Sequence, residues 1–263
     1  MNYQNEFGFL SSVLQEAYNA CLGTSPGAAV SKGEFDLVTE ADKRTEKYIR
    51  DRILAEFPGD GIIGEEFSPD ASAEGRVWSV DPIDGTFNML RGIGVYGMQC
   101  GLFVNGECVS SAIFFPVFDE LFAALKDGGA FLNGKRIRAR TDTPLPKCIF
   151  SFGDIRHDNP GIKELQLLLT GRLHEKIAKI RMFGSAGFDL ALLASGRTDG
   201  TVIFTRNIWD IGPGILLCRE AGAEVRSAEG GRYERQSPGI FVSANPEVTA
   251  LYESIPKGNR CAD

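Results

Sequence analysis

Trp78-Ser79-Val80-Asp81-Pro82-Ile83-Asp84-Gly85-Thr86 is the stretch from which the rest of this 263-residue chain can be read. Arg76 to Val80 has the content of a buried strand, with Val77, Trp78 and Val80 as its apolar residues. Asp81 and Asp84 follow at its end, with Pro82 stiffening the backbone between them. Gly85 permits a close turn, and Thr86 reads as the N-cap of a following helix. Two carboxylates beside an opening helix suit a hard cation and a phosphate together. Mg²⁺ takes oxygen ligands and few carboxylates, and the free N–H groups of a helix start attract the phosphate. The competing reading is a strand followed by an acidic turn, since Asp, Pro and Gly are ordinary turn residues.

Outward from this stretch, Phe7, Leu10, Leu14, Ala17 and Cys21 recur at helical spacing, which predicts an amphipathic helix over the first twenty residues. Leu22 to Glu34 reads as a Gly-rich loop. Thr39-x-x-Asp42 is a capping-box pattern, continued by the helical face of Ile49, Ile53 and Phe57, and Pro58-Gly59-Asp60-Gly61 stops that helix. Ile62 to Phe67 reads as a short strand ending on Glu65 and Glu66, and Ser68 to Gly75 as a polar loop. Asn105-Gly106 and Asn133-Gly134 each lie between apolar runs and predict β-hairpins, so the middle of the chain reads as an antiparallel sheet with helices packed on it. Thr141 to Pro146 is the expected boundary between subdomains 1–143 and 144–263. Beyond it strands and helices alternate. Strands are expected at Ile149–Phe152, Ile180–Phe183, Thr201–Phe204 and Ile240–Ser243. Helices are expected at Gly161–Leu173, from Gly187 to about Ser195, from Trp209 to Gly222, and at Pro246–Ile255.

Composition narrows the function classes. Apolar residues make up 43% and charged residues 24%, an ordinary globular balance. The net charge is −7 and no Lys/Arg-rich run occurs, so the footprint of a nucleic-acid binder is missing. No apolar run reaches the roughly 18 residues of a membrane span. Met1 to Glu6 lacks the basic and apolar regions of a signal peptide, so a cytoplasmic protein is expected. Six cysteines without a Cys-x-x-Cys pair read as reduced, mostly buried thiols. With only His157 and His174 as imidazoles, neither in a supporting motif, chemistry is expected to rest on carboxylates and hydroxyls.

Acids follow short apolar segments at four places: Asp42, Glu65, Asp81 with Asp84, and Asp210. Plainer readings stand beside them. Asp42 can close a capping box and Asp210 can cap a helix. Glu66 is expected to be solvated, Trp209 to pack in the core, and Lys32 and Lys43 to lie at the surface.

Taken together, Asp36-Leu37-Val38-Thr39-Glu40-Ala41-Asp42, Gly64-Glu65-Glu66, Asp81 to Asn88, Gly184-Ser185-Ala186-Gly187 and Trp209-Asp210-Ile211-Gly212-Pro213-Gly214 resemble the inositol monophosphatase-like family of metal-dependent, lithium-sensitive phosphatases. The resemblance implies an α/β fold, an αβαβα layered sandwich with an antiparallel-sheet first half and an alternating α/β second half, in a homodimer. It also implies a site of two to three Mg²⁺ ions. Glu65, Asp81 and the Ile83 carbonyl would hold the first, and Asp81, Asp84 and Asp210 the second. Glu65 would serve a third ion through waters. Asp42 and Thr86 would take the proton of the attacking water. Gly85 and Thr86 would hold the phosphate, and Ser185, Ala186, Arg206 and Asp210 would face the substrate. Inositol-1-phosphate is the expected substrate, with histidinol phosphate and fructose-1,6-bisphosphate as alternatives on the same site. The family's polyol-binding Glu falls here on Ile203, followed by Phe204 to Asn207, and Met89 stands near where an aromatic is common. A regulatory RNA- or transcription-associated binding protein with residual phosphatase activity is the alternative of another class.

Overall fold

The computed structural model describes residues 3–22, 29–33, 36–67 and 75–257. Helix α1 (Gln4–Cys21) precedes a short antiparallel pair, β1 (Ala29–Gly33) and β2 (Asp36–Thr39), and then α2 (Glu40–Glu56). The first sheet comprises β3 (Gly61–Gly64), β4 (Arg76–Asp84), β5 (Gly97–Val104), β6 (Glu107–Phe115), β7 (Glu120–Leu125), β8 (Gly129–Leu132) and β9 (Lys135–Ile137), in that spatial order, with α3 (Thr86–Leu90) between β4 and β5. Only its β3–β4 pair is parallel. The second half contains β10 (Ile149–Phe152), α4 (Pro160–His174), β11 (Lys179–Met182), α5 (Ala186–Ala194), β12 (Gly200–Ile203), α6 (Ile208–Glu220), β13 (Glu224–Ser227), β14 (Ile240–Ser243) and α7 (Pro246–Ser254). Its five strands lie in the order β11-β10-β12-β14-β13.

Side-chain alternation stacks these elements into five layers. On one face of the first sheet, Trp78, Val80, Cys100, Leu102 and Phe114 meet Leu10, Leu14, Ile49 and Ile53 of α1 and α2. On its other face, Ile113, Phe115 and Phe122 meet α5 and α6 through Leu190, Leu193, Ile211 and Ile215. The far side of those helices receives Ile203, Ile240 and Val242 from the second sheet. The outer face of that sheet, Phe150, Phe152, Val202 and Phe241, is covered by Leu165, Leu169, Val248 and Tyr252 of α4 and α7. The expected αβαβα sandwich is thus the observed one.

Both Asn-Gly hairpins form as their residues require. Asn105 and Gly106 take φ of 50° and 82°, and Asn133 and Gly134 take 47° and 75°, the left-handed pairs of a two-residue turn. Four local expectations need correction. Part of the Leu22–Glu34 loop is strand β1, and residues 23–28 and 34–35 lie outside the described residues, as do 68–74 of the polar loop. Strand β4 does not stop at Val80 but runs through Asp84. Its Asp81 pairs with Gln99 and its Asp84 with Gly97, so one extra residue of β4 is accommodated between them. That bulge is what admits Pro82 to a strand. Strand β13 carries no clear apolar pattern in sequence and forms by pairing with β14. Finally, Thr86 is the first residue of α3, and Gly85, at φ 92°, is its N-cap. Five cysteines are free and buried, as expected, and Cys261 lies outside the described residues. Among the described residues no helix is long and apolar enough to cross a membrane.

Gly97, opposite Asp84, fixes the close approach of β5 to β6. A Cβ there would sit 2.6 Å from the Phe115 ring and 2.7 Å from the Phe114 carbonyl. Gly97→Ala should therefore cost about 1–3 kcal/mol through overpacking, read as a lower urea midpoint with an unchanged slope. An unshifted midpoint would contradict this packing.

Candidate active site

The end of β4 lies where α2, α5 and α6 converge, and each contributes to a cluster of carboxylates. Asp81 is 2% exposed, and its Oδ1 accepts the Ile83 N–H at 3.1 Å. Gln99, across the β4–β5 ladder, approaches Asp81 Oδ2 at 3.4 Å and donates to the Asp210 backbone carbonyl at 3.0 Å. This one amide ties β5 to both β4 and α6.

Asp84 reaches across to the start of α5. Its Oδ2 accepts from Ser185 Oγ at 2.7 Å and from the Gly187 N–H at 2.6 Å, and its Oδ1 accepts from the Ala186 N–H at 3.1 Å. A carboxylate here satisfies the orphan donors of a helix N-terminus. Gly187 is needed for this approach, since a Cβ would lie 2.7 Å from Asp84 Oδ2. With about two lone pairs per oxygen, Oδ2 is filled and Oδ1 keeps one position open.

Asp42 lies in the first turn of α2 and completes the capping box, accepting the Thr39 N–H at 2.8 Å. The plain reading of Asp42 as a cap is therefore correct, and it is incomplete. Its Oδ1 also accepts from Thr86 Oγ at 3.1 Å, and the same hydroxyl lies 3.0 Å from the Ile83 carbonyl. One hydroxyl proton cannot serve both acceptors at once.

Glu65 follows β3, partly exposed, and its charge acts on Asp81. The turn that carries it is held by Glu46 of α2, a fully buried acid whose Oε2 accepts the Glu66 N–H at 2.7 Å. Glu66 thus contributes its backbone to the turn. Asp210, in the first turn of α6, accepts from Thr205 Oγ at 2.9 Å. Trp209 packs with Ile63 and Val77, as expected.

Burial sets the electrostatics, and neighbouring acids add to it at Asp81 and Asp210. Burial first, then Glu65, Asp84 and Asp210, push the Asp81 carboxyl well above the usual range. Burial raises Asp84 to about 6 against the hydrogen bonds from Ser185, Gly187 and Ala186. Burial and the neighbouring Asp84 raise Asp210 to about 7, although its residue keeps some contact with solvent. Burial also raises Asp42, opposed by its bonds from Thr39 and Thr86. The donor set is all oxygen, carboxylates with the Ile83 carbonyl, which suits Mg²⁺. As the side chains stand, no three His, Cys, Asp or Glu among the described residues are grouped to hold a metal ion. The turn of Asp84 onto α5 accounts for part of this.

The structure thus joins Asp42, Glu65, Asp81, Ile83, Asp84, Thr86, Ser185, Ala186 and Asp210 around the end of β4. Arg206 is exposed on the lead into α6. Ile203 is buried in the core between β12 and the central helices. Three participants were missed in sequence: Glu46, Gln99 and Thr205. Glu46 had a signal, an acid on the same helical face as Asp42, Ile49 and Ile53. Thr205 acts locally, on Asp210 five residues on, and Gln99 depends on tertiary pairing.

The model of the inositol monophosphatase family matches residues 4–257. The inositol-1-monophosphatase of Rhizobium meliloti is 36% identical over 227 residues, 86% of this chain and 85% of that protein. The fructose-1,6-bisphosphatase/inositol-1-monophosphatase of Aquifex aeolicus is 32% identical over 191 residues, 73% and 72% of the two chains. Among solved structures, the extragenic suppressor protein suhB from Bartonella henselae superposes with a TM-score of 0.85 at 32% identity, covering 95% of this chain and 97% of that one.

The raised carboxyls predict an inverted pH dependence of stability without divalent ions. Asp84 and Asp210 titrate in the folded state near 6 and 7, against 3.8 for the free group. The native state therefore holds these protons more tightly, and the contribution is fully present only below pH 3.8 and is lost as pH rises toward 7. In EDTA, Asp210→Asn should be more stable than the parent at pH 7.5 by about 1 kcal/mol or more, and the advantage should shrink as pH falls toward 3.8. Equal denaturation midpoints of the two proteins at pH 7.5 would contradict the charge cluster.

Proposed function

The chain belongs to the inositol monophosphatase family, and we propose that it is a Mg²⁺-dependent phosphate monoester hydrolase of the inositol-1-phosphate type. The observation that carries this reading is the Thr86 hydroxyl, set between the Asp42 carboxylate and the Ile83 carbonyl at the edge of the acid cluster. When the Thr86 hydroxyl donates to Asp42, its oxygen is left to accept a hydrogen bond from an attacking water. Asp42 and Thr86 thus form the proton-accepting pair, aimed by the Thr39 cap.

Glu65, Asp81 and the Ile83 carbonyl are assigned to the first ion, and Asp81, Asp84 and Asp210 to the second, with Glu65 available to a third. When bound, Mg²⁺ would neutralise phosphate charge, lower the pKa of a water and stabilise the departing alkoxide. Asp84 has one open position on Oδ1 for this role while it keeps its bonds to α5. The N–H groups of Gly85 and Thr86 are assigned to the phosphate. Ser185 and Ala186 are assigned to the substrate side of the cleft, where they also hold Asp84. No covalent nucleophile is required, since phosphoryl transfer rests on positioning and electrostatics.

Histidinol phosphate and fructose-1,6-bisphosphate are alternative substrates of the same site. Lithium sensitivity is inferred from the family. A homodimer is supported by the half-exposed apolar side chains of Ile93, Val117 and Phe118. A cytoplasmic place fits the free, buried cysteines. The likeness to a protein named for extragenic suppression favours one second reading, a regulatory RNA- or transcription-associated binding protein with residual activity. Against it stand the acidic balance of the chain and the assembled carboxylates.

Asp84→Asn should lower Mg²⁺-dependent phosphate release from inositol-1-phosphate at least a thousandfold with the circular dichroism spectrum retained. Thr86→Ala should lower kcat by about 10²–10⁴. Near-parental turnover in Asp84→Asn would refute the metal assignment. Retained cellular function of that inactive variant would establish the regulatory reading.

A further inference from the structure

Helix α2 sends two acids to the same end of the first sheet. Asp42 and Glu46 stand one helical turn apart on its buried face, and Ile49 and Ile53 continue that face into the core. Asp42 goes to Thr86, just beyond β4. Glu46, with no exposed surface, goes to the turn that follows β3, Gly64-Glu65-Glu66-Phe67.

The fit between Glu46 and this turn is close. Its Oε2 accepts the Glu66 N–H at 2.7 Å. The N–H groups of Glu66 and Phe67 and the Arg50 guanidinium all favour the charged carboxylate, and Arg50 Nη1 stands 3.3 Å from Oε1. A Cβ on Gly64 would collide with Oε1 and lie 2.8 Å from Oε2, so the carboxylate takes the space a side chain would fill there. From the other side, the Glu65 N–H donates to the carbonyl of Val80 at 3.2 Å, one residue before Asp81. The backbone around Glu65 is therefore held twice, its own N–H by β4 and the next one by α2. The Glu65 charge acts on Asp81.

A turn can be closed by water or by a neutral side chain. Burying a carboxylate for this purpose costs desolvation that well-packed apolar residues would avoid. Charge-assisted bonds to backbone N–H groups are shorter and stronger than neutral ones. What the buried charge supplies here is placement.

We propose that Glu46 is a positioning residue for the first cation: it fixes the turn after β3 so that the Glu65 carboxylate meets Asp81, and cation affinity at that site depends on it. The inference rests on the metal assignment above and extends it to a residue that touches neither cation nor substrate. Because Asp42 and Glu46 share one rigid helix, α2 sets both the proton acceptor and a ligand of the first ion.

Calorimetric titration of Mg²⁺ into EDTA-stripped protein tests this as a double-mutant cycle of Glu46→Gln and Glu65→Gln. Glutamine keeps the shape of Glu46 and loses its charge. In the parent background Glu46→Gln weakens the first ion by about 10–100-fold and leaves the second within about twofold. In the Glu65→Gln background the same substitution changes Mg²⁺ affinity by no more than about twofold, because the ligand it aims is already gone. Gly64→Ala, which places a methyl where the carboxylate lies, gives the same pattern from the opposite side and carries the test if Glu46→Gln does not fold. A merely structural Glu46 would lower the urea midpoint and leave Mg²⁺ affinity unchanged, or weaken it equally in both backgrounds. Either result overturns the proposal and leaves the phosphatase reading standing. A parent that binds no Mg²⁺ overturns the metal assignment together with this inference.

Discussion

Burial of several carboxylates in one place is the constraint on which the rest of this molecule turns. Asp42, Asp81 and Asp84 are at most 9% exposed, and Asp210 and Glu65 stand against them. No isolated helix or sheet would tolerate this density of charge. Each acid is held by donors from its own element or a neighbouring layer: Asp42 by Thr39 and Thr86, Asp81 by the Ile83 N–H, Asp84 by the start of α5, and Asp210 by Thr205. The five-layer sandwich brings those donors together. Its hydrophobic cores fix the distances between α2, β4, α5 and α6, and the hydrogen bonds at their ends keep the acids apart from one another's direct contact.

The same arrangement joins fold and chemistry at single atoms. The Asp84 bonds that start α5 leave one open position on that carboxylate. The Thr86 hydroxyl lies within reach of both the Ile83 carbonyl and Asp42, and in the proposed site it would turn to Asp42 when a cation engages that carbonyl. Gln99 links the backbone of Asp210 to the sheet that carries Asp81, so α6 and β4 cannot shift independently. In the proposed reaction the protein supplies position and a proton acceptor, and the cation supplies charge.

Much of this was legible because the local chemistry is strict. Asn-Gly pairs specify left-handed two-residue turns, and Thr39-x-x-Asp42 specifies a capped helix start, so the hairpins and α2 follow from a few residues. Alternation places Phe150, Phe152 and Phe241 against α4 and α7. Where sequence misleads, a longer-range contact has prevailed. Pro82 and two acids read as the end of a strand, yet pairing with β5 carries β4 on to Asp84 through a bulge. Thr86 has the composition of an N-cap, but Gly85 takes that place and frees the hydroxyl for Asp42. Ile203 falls at the position of the family's polyol-binding Glu, and the pleat of β12 turns it into the core. Glu46 shares the buried helical face of Asp42, Ile49 and Ile53, and Gln99 carries no local signal. The roles of both come from partners 20 and 111 residues away.

The central claim is that this cluster is completed by cations, and calorimetric titration of Mg²⁺ into EDTA-stripped protein at pH 7.5 and pH 5.0 tests it most directly. Two to three ions per chain at pH 7.5, with affinity falling at least tenfold at pH 5.0 as Asp84 and Asp210 take up protons, is the expected result. Absence of binding at pH 7.5, or an affinity indifferent to pH, would contradict the account.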